Sequence, residues 1–366
     1  MSEHSSPFIP LDYAPSNGDY SSNSDTPEVA ARKEEVINLL KQVFEPNLKN
    51  NIVNLGMVRN LQIVDDYVYF RLYLGSHQLK LKEHAQESLK SLNWCKQFYI
   101  QVCSIPNVQT VLAISSGKGG VGKSTTAVNL AAALKASGAK VGLLDADVYG
   151  PNLPRMLGLN RSDVHVVDTD NGRKFTPITA HGIQVMSVGL LADPDHPLAW
   201  RGPVLHKIVK QFIDEVDWGH LDYLLIDLPP GSGDAQITIV QESPICGALL
   251  VTTPQQVAVS DVRRSINMFR RVGVPTIGLI ENMSYLIHNG ETLSVFGNGG
   301  GEQIAESLKI SLLAKIPLEP EISRGGDSGD PIIYEDKDSA PAESFQQIAA
   351  ALNKTFYPAD FKSIAD

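Results

Sequence analysis

Residues 111–125, VLAISSGKGGVGKST, place a short apolar run directly before a glycine-rich loop that ends in Lys-Ser-Thr. From Gly117 to Ser124 the loop satisfies the pattern GxxxxGK[ST]. Glycines let backbone N–H groups turn inward around phosphate oxygens, and the helix predicted over residues 126–135 adds the positive end of its dipole. The stretch therefore predicts a strand, a phosphate-binding loop and a helix. The alternative is a glycine-rich turn without a ligand.

The loop predicts a set of nucleotide contacts. Lys123 is expected to reach the β- and γ-phosphates, and Ser124 to offer its hydroxyl to Mg²⁺. Lys118 is a second lysine inside the loop; because Lys123 already takes the phosphate direction, Lys118 is free either to cross an interface or to remain solvated. The predicted loop contacts are Gly117, Lys118, Gly119, Gly120, Val121, Gly122, Lys123, Ser124 and Thr125.

Two further apolar runs end in carboxylates, at Asp145-Ala146-Asp147 and at Asp227. Ligands of open parallel sheets bind beyond the carboxyl ends of the strands. We therefore expect Asp227 to hold Mg²⁺ through water, Asp147 to orient the attacking water, and the loop 229–231 to sense the γ-phosphate. Either aspartate, taken alone, would more often be a helix N-cap.

Continuous apolar runs recur after residue 108 and alternate with helical stretches. Runs of this kind are buried on both faces, and the alternation indicates right-handed crossovers around a parallel sheet. We therefore predict an α/β fold, a doubly wound, mainly parallel sheet, over residues 108–358. The predicted strands are 111–115, 141–144, 183–188, 223–226, 248–251, 276–280 and 312–316.

A smaller unit precedes this domain. Residues 36–44 have one apolar helical face, runs at 58–64 and 67–74 suit a hairpin, and a helix over 79–92 and a strand over 98–103 follow. This order predicts a small α+β domain, α-β-β-α-β, over residues 28–104, joined by a linker at 104–109. Residues 1–27 are rich in Ser and Pro without Lys or Arg, which predicts a disordered acidic tail.

Composition excludes several classes of protein. The 366 residues carry 31 Lys and Arg against 41 Asp and Glu, a net charge of −10, which disfavours nucleic acid and anionic membrane as partners. The one dense basic cluster, Arg263, Arg264, Arg270 and Arg271, has the spacing of a solvated helix face. No apolar run is long enough to span a membrane and none resembles a secretory signal, so a cytoplasmic location is expected.

These motifs together resemble the deviant-Walker-A ATPases, the group of MinD, ParA and the nitrogenase iron protein. KGGVGKST, with Lys118 as signature lysine, is the hallmark of that group. Further stretches look like the Mrp/ApbC family of iron–sulfur cluster carriers, over about residues 30–355. They are DADVYGPNLPRMLGL (145–159), WRGP (200–203), IDLPPGSGD (226–234), ENMSY (281–285) and FGNGGGEQIAESL (296–308).

The resemblance implies an ATP hydrolase, slow and Mg²⁺-dependent, that delivers iron–sulfur clusters to apoproteins or works with cluster-assembly proteins. It also implies a homodimer that encloses two ATP molecules, with Lys118 touching the partner's nucleotide. Asn282 would then read the adenine edge, and Pro317 would line the base pocket.

The sequence departs from the family where the cluster is usually held. Members generally have CxxC shortly after ENMSY, whereas this chain has His288 and Glu291 at those positions. Both side chains can bind metal, although a solvated loop is the alternative, and neither replaces thiolates for a cluster. Only Cys95, Cys103 and Cys246 are present, at wide spacings, and we interpret them as small buried hydrophobic residues.

The missing CxxC leaves alternatives open. The chain could be a nucleotide-gated dimeric interaction or regulatory protein that carries no cluster. MinD-like membrane cycling is a further reading, disfavoured because residues 349–366 lack a basic amphipathic helix.

Overall fold

The computed structural model describes residues 26–46, 49–64, 66–75, 78, 80–159, 165–169, 172–191 and 202–357. The predictions for residues 1–25, for Trp200 and Arg201, and for residues 358–366 lie outside these ranges.

The small N-terminal unit has the predicted order of main elements. Strand β3 forms an antiparallel hairpin with β4, and β5 adds to β4 in parallel. Both helices cover one face of this sheet, where Val36, Leu40, Phe70 and Leu81 are buried together. The elements are α1 (Pro27–Leu40), β1 (Phe44–Glu45), β2 (Asn50–Asn51), β3 (Val58–Val64), β4 (Tyr67–Tyr73), α2 (Lys80–Leu89) and β5 (Gln97–Cys103).

The first helix differs from its prediction at both ends. It ends at Leu40, and the predicted apolar position Phe44 is 56% exposed in β1. The reason is a tight turn in which the Val43 N–H bonds to the Leu40 carbonyl, so that Val43 reaches the core without a further helical turn. At the other end Thr26 accepts a hydrogen bond from Val29 N–H, so the helix begins at Pro27, the last residue of the predicted tail.

The second unit carries the phosphate loop. Its first part comprises β6 (Val108–Ser116), α3 (Lys123–Ala136), β7 (Val141–Asp145), α4 (Leu153–Met156), β8 (His165–Thr169), β9 (Gly172–Thr176), β10 (Ile178–Ala180), β11 (Ile183–Ser187) and α5 (Val188–Leu191). Its second part comprises α6 (Gly202–Asp214), β12 (Leu221–Asp227), α7 (Asp234–Glu242), β13 (Gly247–Thr252), α8 (Gln256–Arg271), β14 (Thr276–Glu281), β15 (Leu286–His288), β16 (Glu291–Leu293), α9 (Gly300–Leu308), β17 (Leu312–Lys315), α10 (Pro320–Ser328), α11 (Ile332–Glu335) and α12 (Ala340–Phe356).

One eight-stranded sheet organises this unit, in the order β10-β11-β7-β12-β6-β13-β14-β17. All seven predicted strands are in it and run parallel; only the edge strand β10 is antiparallel. The phosphate-loop strand β6 lies between β12 and β13, where the chain switches from one side of the sheet to the other. A crevice opens at such a point, beyond the carboxyl ends of the strands.

Helices cover both faces of the sheet and form two apolar layers. Phe212 and Phe269 are fully buried in one layer, and Leu130 and Phe345 in the other. Three short β elements of this unit were not predicted from the sequence: the strand β10 and the hairpins β8–β9 and β15–β16. The sequence also placed Val108 and Gln109 in a linker, whereas they begin β6, where Val108 is the register partner of Leu221 of β12. In the described part of the chain no helix is both long and apolar enough to cross a bilayer.

Candidate nucleotide site

The glycine-rich loop connects β6 to α3 with a backbone that side chains would obstruct. Gly120 and Gly122 have φ angles of +80° and +84°, and a Cβ on Gly122 would lie 2.1 Å from the side-chain amide nitrogen of Asn282. Helix α3 begins at Lys123, so its unpaired N–H groups open into the cleft. The cleft encloses about 640 Å³ and is lined by Asp147, Asn282, Pro317 and seven of the nine predicted loop residues, all except Gly117 and Val121. That volume suits a nucleotide-sized ligand.

Lys123 lies at the bottom of the cleft with only 6% of its surface exposed. Its ammonium is 2.7 Å from Asp227 and 3.3 Å from Asp147, so the structure brings together all three residues that the sequence singled out. The neighbouring carboxylates raise the pKa of Lys123 above its usual value, against the opposing effect of burial. A lysine held in this way is charged and aimed at the space that phosphates would occupy.

Ser124 and Asp227, the two residues predicted to serve Mg²⁺, lie in contact with each other. The Ser124 hydroxyl donates to the Asp227 carboxylate at 2.6 Å. A hydroxyl beside a carboxylate is an all-oxygen donor set, which is what Mg²⁺ prefers. The residues therefore fit the magnesium ion that a phosphate loop uses.

Asp145 is a buried acid to which the sequence analysis gave no role. It is the register partner of Asp227 across β7 and β12, and it accepts hydrogen bonds from the Ser187 hydroxyl at 2.9 Å and from Asp147 N–H at 3.1 Å. Burial and the nearby Asp227 carboxylate raise the pKa of Asp145 to about 8. The signal was present in the sequence, because the apolar run 141–144 ends in a carboxylate that still belongs to the strand.

The loop after Asp227 lies directly beside the phosphate loop. Gly231 N–H bonds to the Ser116 carbonyl at 2.9 Å, and Pro230 lines the cleft. Gln236, in the first turn of α7, is buried and donates to the Pro229 carbonyl at 3.3 Å and to the Ser115 hydroxyl. The Gln236 side chain therefore ties α7 to both the loop 229–233 and strand β6.

The residues predicted to hold the base also line the cleft. Asn282 follows β14, is buried, and donates from its amide nitrogen to the Val121 carbonyl at 2.9 Å. Pro317 lines the same cleft, as do Leu318 and Met283. Asn282 thus braces the phosphate loop in this structure, a contact that the sequence did not predict.

Lys118 lies at the rim of the cleft and is half-buried. The Ser116 hydroxyl donates to the Lys118 backbone carbonyl at 3.0 Å, which fixes the backbone of the loop rather than the ammonium group. The ammonium group that meets the acids is that of Lys123.

His288 and Glu291 occupy the end of the β15–β16 hairpin, where they are register partners and exposed. Asn289 is within hydrogen-bond distance of the His288 ring at 3.3 Å. Ile287 and Leu293 of the same hairpin are 48% and 41% exposed. Among the described residues, no cluster of three or more His, Cys, Asp or Glu side chains could hold a metal ion.

The three cysteines are separate and partly exposed, so the expectation that they are fully buried is wrong. Cys103 ends β5, whereas Cys95 precedes that strand in the turn after α2. Cys246 immediately precedes β13, at the end of the sheet away from the nucleotide cleft.

Comparisons with known proteins agree with this architecture. The family described as "NUBPL iron-transfer P-loop NTPase" matches residues 107–353, and that described as "Iron-sulfur cluster assembly protein" matches residues 33–101. The chain is 43% identical over 334 residues to the "Iron-sulfur cluster carrier protein" of Synechocystis sp., covering 86% of this chain and 95% of that one. A protein of the same name from Escherichia coli is 37% identical over 355 residues, covering 92% and 95%.

Solved structures confirm the α/β fold. The nucleotide-binding protein of Archaeoglobus fulgidus in complex with ADP is 34% identical with a TM-score of 0.56, over 65% of this chain and 93% of that one. The cell-division ATPase MinD of Pyrococcus furiosus has a TM-score of 0.51 at 23% identity, over 67% and 98%, and shows likeness of fold alone.

Proposed function

The chain belongs to the iron-transfer P-loop NTPases, and from that premise we propose that it binds Mg-ATP in the cleft and hydrolyses it slowly. The observation that carries the proposal is the charged pair at the bottom of the cleft, Lys123 with Asp227, beneath the glycine-rich loop. The loop N–H groups and the α3 N-terminus would cradle the phosphates. Lys123 would turn from the two carboxylates to the β- and γ-phosphates.

The acids then take separate roles. Ser124 and Asp227 would hold Mg²⁺, which supplies charge neutralisation for the phosphate oxygens when it is bound. Asp147, released from Lys123, would accept a hydrogen bond from the attacking water and orient it toward the γ-phosphate. Asn282 and Pro317, which also line the cleft, would contact the adenine.

We propose further that two copies of the chain enclose the nucleotides. The position of Lys118 at the rim, while Lys123 takes the bottom of the cleft, supports the role that the signature lysine has in the resemblance. The hairpin β15–β16 exposes Ile287 and Leu293, which would be covered by a second copy.

The biological role that fits the relatives is delivery of iron–sulfur clusters to apoproteins, since those relatives are named cluster carriers. The cluster is cargo in this role. The hairpin carries His288 and Glu291 where the family has its cysteine pair, so the usual thiolate ligands are missing at that place. Two such residues per chain require a second copy to complete any metal site there.

Phosphate release from ATP, measured with Mg²⁺ and with EDTA, tests the proposal. We expect slow turnover that requires Mg²⁺ and is lost in Asp227→Asn, with Asp214→Asn, an exposed acid in the last turn of α6, as the matched control. Turnover that persists in EDTA, or in Asp227→Asn, would contradict it. Iron and sulfide counted after anaerobic reconstitution measure whether the chain holds a cluster stably, which is a question separate from nucleotide turnover.

A further inference from the structure

Helix α7 connects the nucleotide cleft to the small N-terminal domain. Its first residue, Asp234, follows the loop 229–233, and its last turn ends at Glu242 beside the small domain. Nine helical residues span roughly 13 Å at about 1.5 Å per residue. A shift of the loop along the helix axis would therefore reach the other end, since a helix this short moves as a rigid rod.

The small domain binds the far end of α7 through Tyr73 and Arg59. The Tyr73 hydroxyl donates to the Gln241 carbonyl at 3.0 Å, one of the last carbonyls that have no partner within a helix. The Arg59 guanidinium donates to the Ile245 carbonyl, just after the helix, and to the Gly56 carbonyl of its own domain at 2.9 Å. It also lies 4.0 Å above the Tyr73 ring.

This junction is closed and specific. Arg59 and Tyr73 are 5% and 2% exposed, and a cavity of only about 20 Å³, room for one water molecule, lies among residues of both domains. Gly56 approaches Gly273 so closely that a Cβ would lie 2.3 Å from the Gly273 carbonyl oxygen. Buried hydrogen bonds to backbone carbonyls fix a distance and a direction, unlike a merely apolar contact.

The near end of α7 is fixed as firmly to the nucleotide loop. Gln236 donates to the Pro229 carbonyl and to Ser115 of β6. On the other side of the loop, the Ser265 hydroxyl of α8 donates to the Gly231 carbonyl at 2.9 Å. The loop 229–233 is therefore held on one side by Gln236 of α7 and on the other by Ser265 of α8.

We propose that Tyr73 and Arg59 are positioning residues for ATP hydrolysis, acting through α7 on the loop 229–233. Docking of the small domain sets the position of that loop, and nucleotide in the cleft in turn strengthens the docking, because coupling between two sites is reciprocal. The inference rests on the proposed nucleotide binding.

The test compares Tyr73→Phe with Tyr99→Phe. Tyr73→Phe keeps the ring under Arg59 and removes the hydroxyl, which bonds Gln241 of α7 and also contacts Arg71 of its own strand. Tyr99 is on the neighbouring strand of the same sheet and 43% exposed, and its hydroxyl bonds Gln97 of its own strand β5. We expect Tyr73→Phe to lower kcat by about three- to tenfold with KM for ATP nearly unchanged, the range that one hydrogen bond spans. Tyr99→Phe should match the wild type.

Hydrogen exchange of the amides from 238 to 245, with and without Mg-ADP, gives a readout that does not depend on turnover. Mg-ADP should slow exchange there in the wild type and in Tyr99→Phe, and slow it less in Tyr73→Phe. If calorimetry detects no nucleotide binding, the proposed function fails. If Mg-ADP binds but leaves exchange at 238–245 unchanged, and Tyr73→Phe keeps the wild-type kcat, the coupling alone is overturned.

Discussion

The ammonium nitrogen of Lys123 lies 2.7 Å from a carboxylate oxygen of Asp227, with Asp147 a further contact at 3.3 Å. In this structure two carboxylates therefore balance the charge of the buried lysine. Under the proposed function, phosphates would replace the acids as partners of Lys123, and Mg²⁺ would balance the charge of Asp227. The side chains proposed for these roles are thus already close together.

Replacing Lys123 by Ala should abolish nucleotide binding and also destabilise the fold. Charge-assisted hydrogen bonds contribute about 1.5–3 kcal/mol each, so loss of contacts to two phosphates should lower the affinity roughly 100-fold or more. Removing one partner of a buried ion pair costs about 3–5 kcal/mol of unfolding free energy. Calorimetry with Mg-ATP and urea denaturation check both effects. Lys135→Ala, at the other end of α3, is the control; unchanged affinity in Lys123→Ala would overturn the phosphate-loop assignment.

Asp145 makes the stability of the metal-free protein fall as pH rises. Its pKa is raised to about 8 in the folded state from 3.8, so between about pH 4 and 8 the folded chain holds a proton that the unfolded chain has lost. By linkage, the unfolding free energy decreases by at most about 1.4 kcal/mol per pH unit in that window and levels off above it.

The measurement is urea denaturation from pH 5 to 9 in EDTA, for the wild type and Asp145→Asn. The variant keeps a hydrogen-bonding side chain between Ser187 and Asp147 but cannot ionise, so its stability should depend less on pH. A slope identical in both proteins would mean that Asp145 ionises normally in the fold.

The long strands and the charged residues at the bottom of the cleft were predictable from the sequence. The short strands and turns, and the hydrogen bonds between residues far apart in the chain, were not. The strand 111–115 and Lys123 are specified locally, by a continuous apolar run and by loop spacing. Phe44 was misplaced because an apolar residue at helical spacing is equally compatible with the tight turn that the chain makes after Leu40. The bond from Asn282 to Val121 joins residues 161 positions apart, which no local pattern encodes.

Asn282 should contribute to both affinity and choice of base. We expect Asn282→Ala to weaken ATP binding by about tenfold, the value of one buried hydrogen bond left unmade, and to lose the preference for ATP over GTP. Competition of fluorescent ATP with ATP and GTP measures both. An equal loss for the two nucleotides would show that Asn282 serves only to brace the phosphate loop at Val121.

Lys118 should act on assembly rather than on binding within one chain. If its ammonium reaches the partner's phosphates, Lys118→Ala leaves ATP affinity within about threefold of the wild type while turnover and ATP-dependent dimerisation fall together. Light scattering with and without Mg-ATP, beside phosphate release, is the measurement, with Lys135→Ala as the matched lysine control. A wild-type chain that stays monomeric under all conditions would contradict the cross-interface role.

The last prediction concerns the cargo. A four-iron cluster needs thiolates converging at about 2.3 Å from each metal, and the hairpin β15–β16 offers His288 and Glu291 instead. Cys95 precedes β5 and Cys103 ends it, so most of the strand separates them, and Cys246 lies at the far end of the large sheet. The three cysteines therefore do not converge on one metal site. Histidine and carboxylate together favour a harder ion such as Zn²⁺ or Fe²⁺ over a cluster.

We therefore expect anaerobic reconstitution to leave no stable four-iron cluster after desalting. A single divalent ion should bind per dimer instead and be lost in the double variant His288→Ala, Glu291→Ala. Glu306→Ala, an exposed acid on α9, is the control for unspecific charge effects. A stoichiometric cluster that survives in the double variant would show that other residues ligate it.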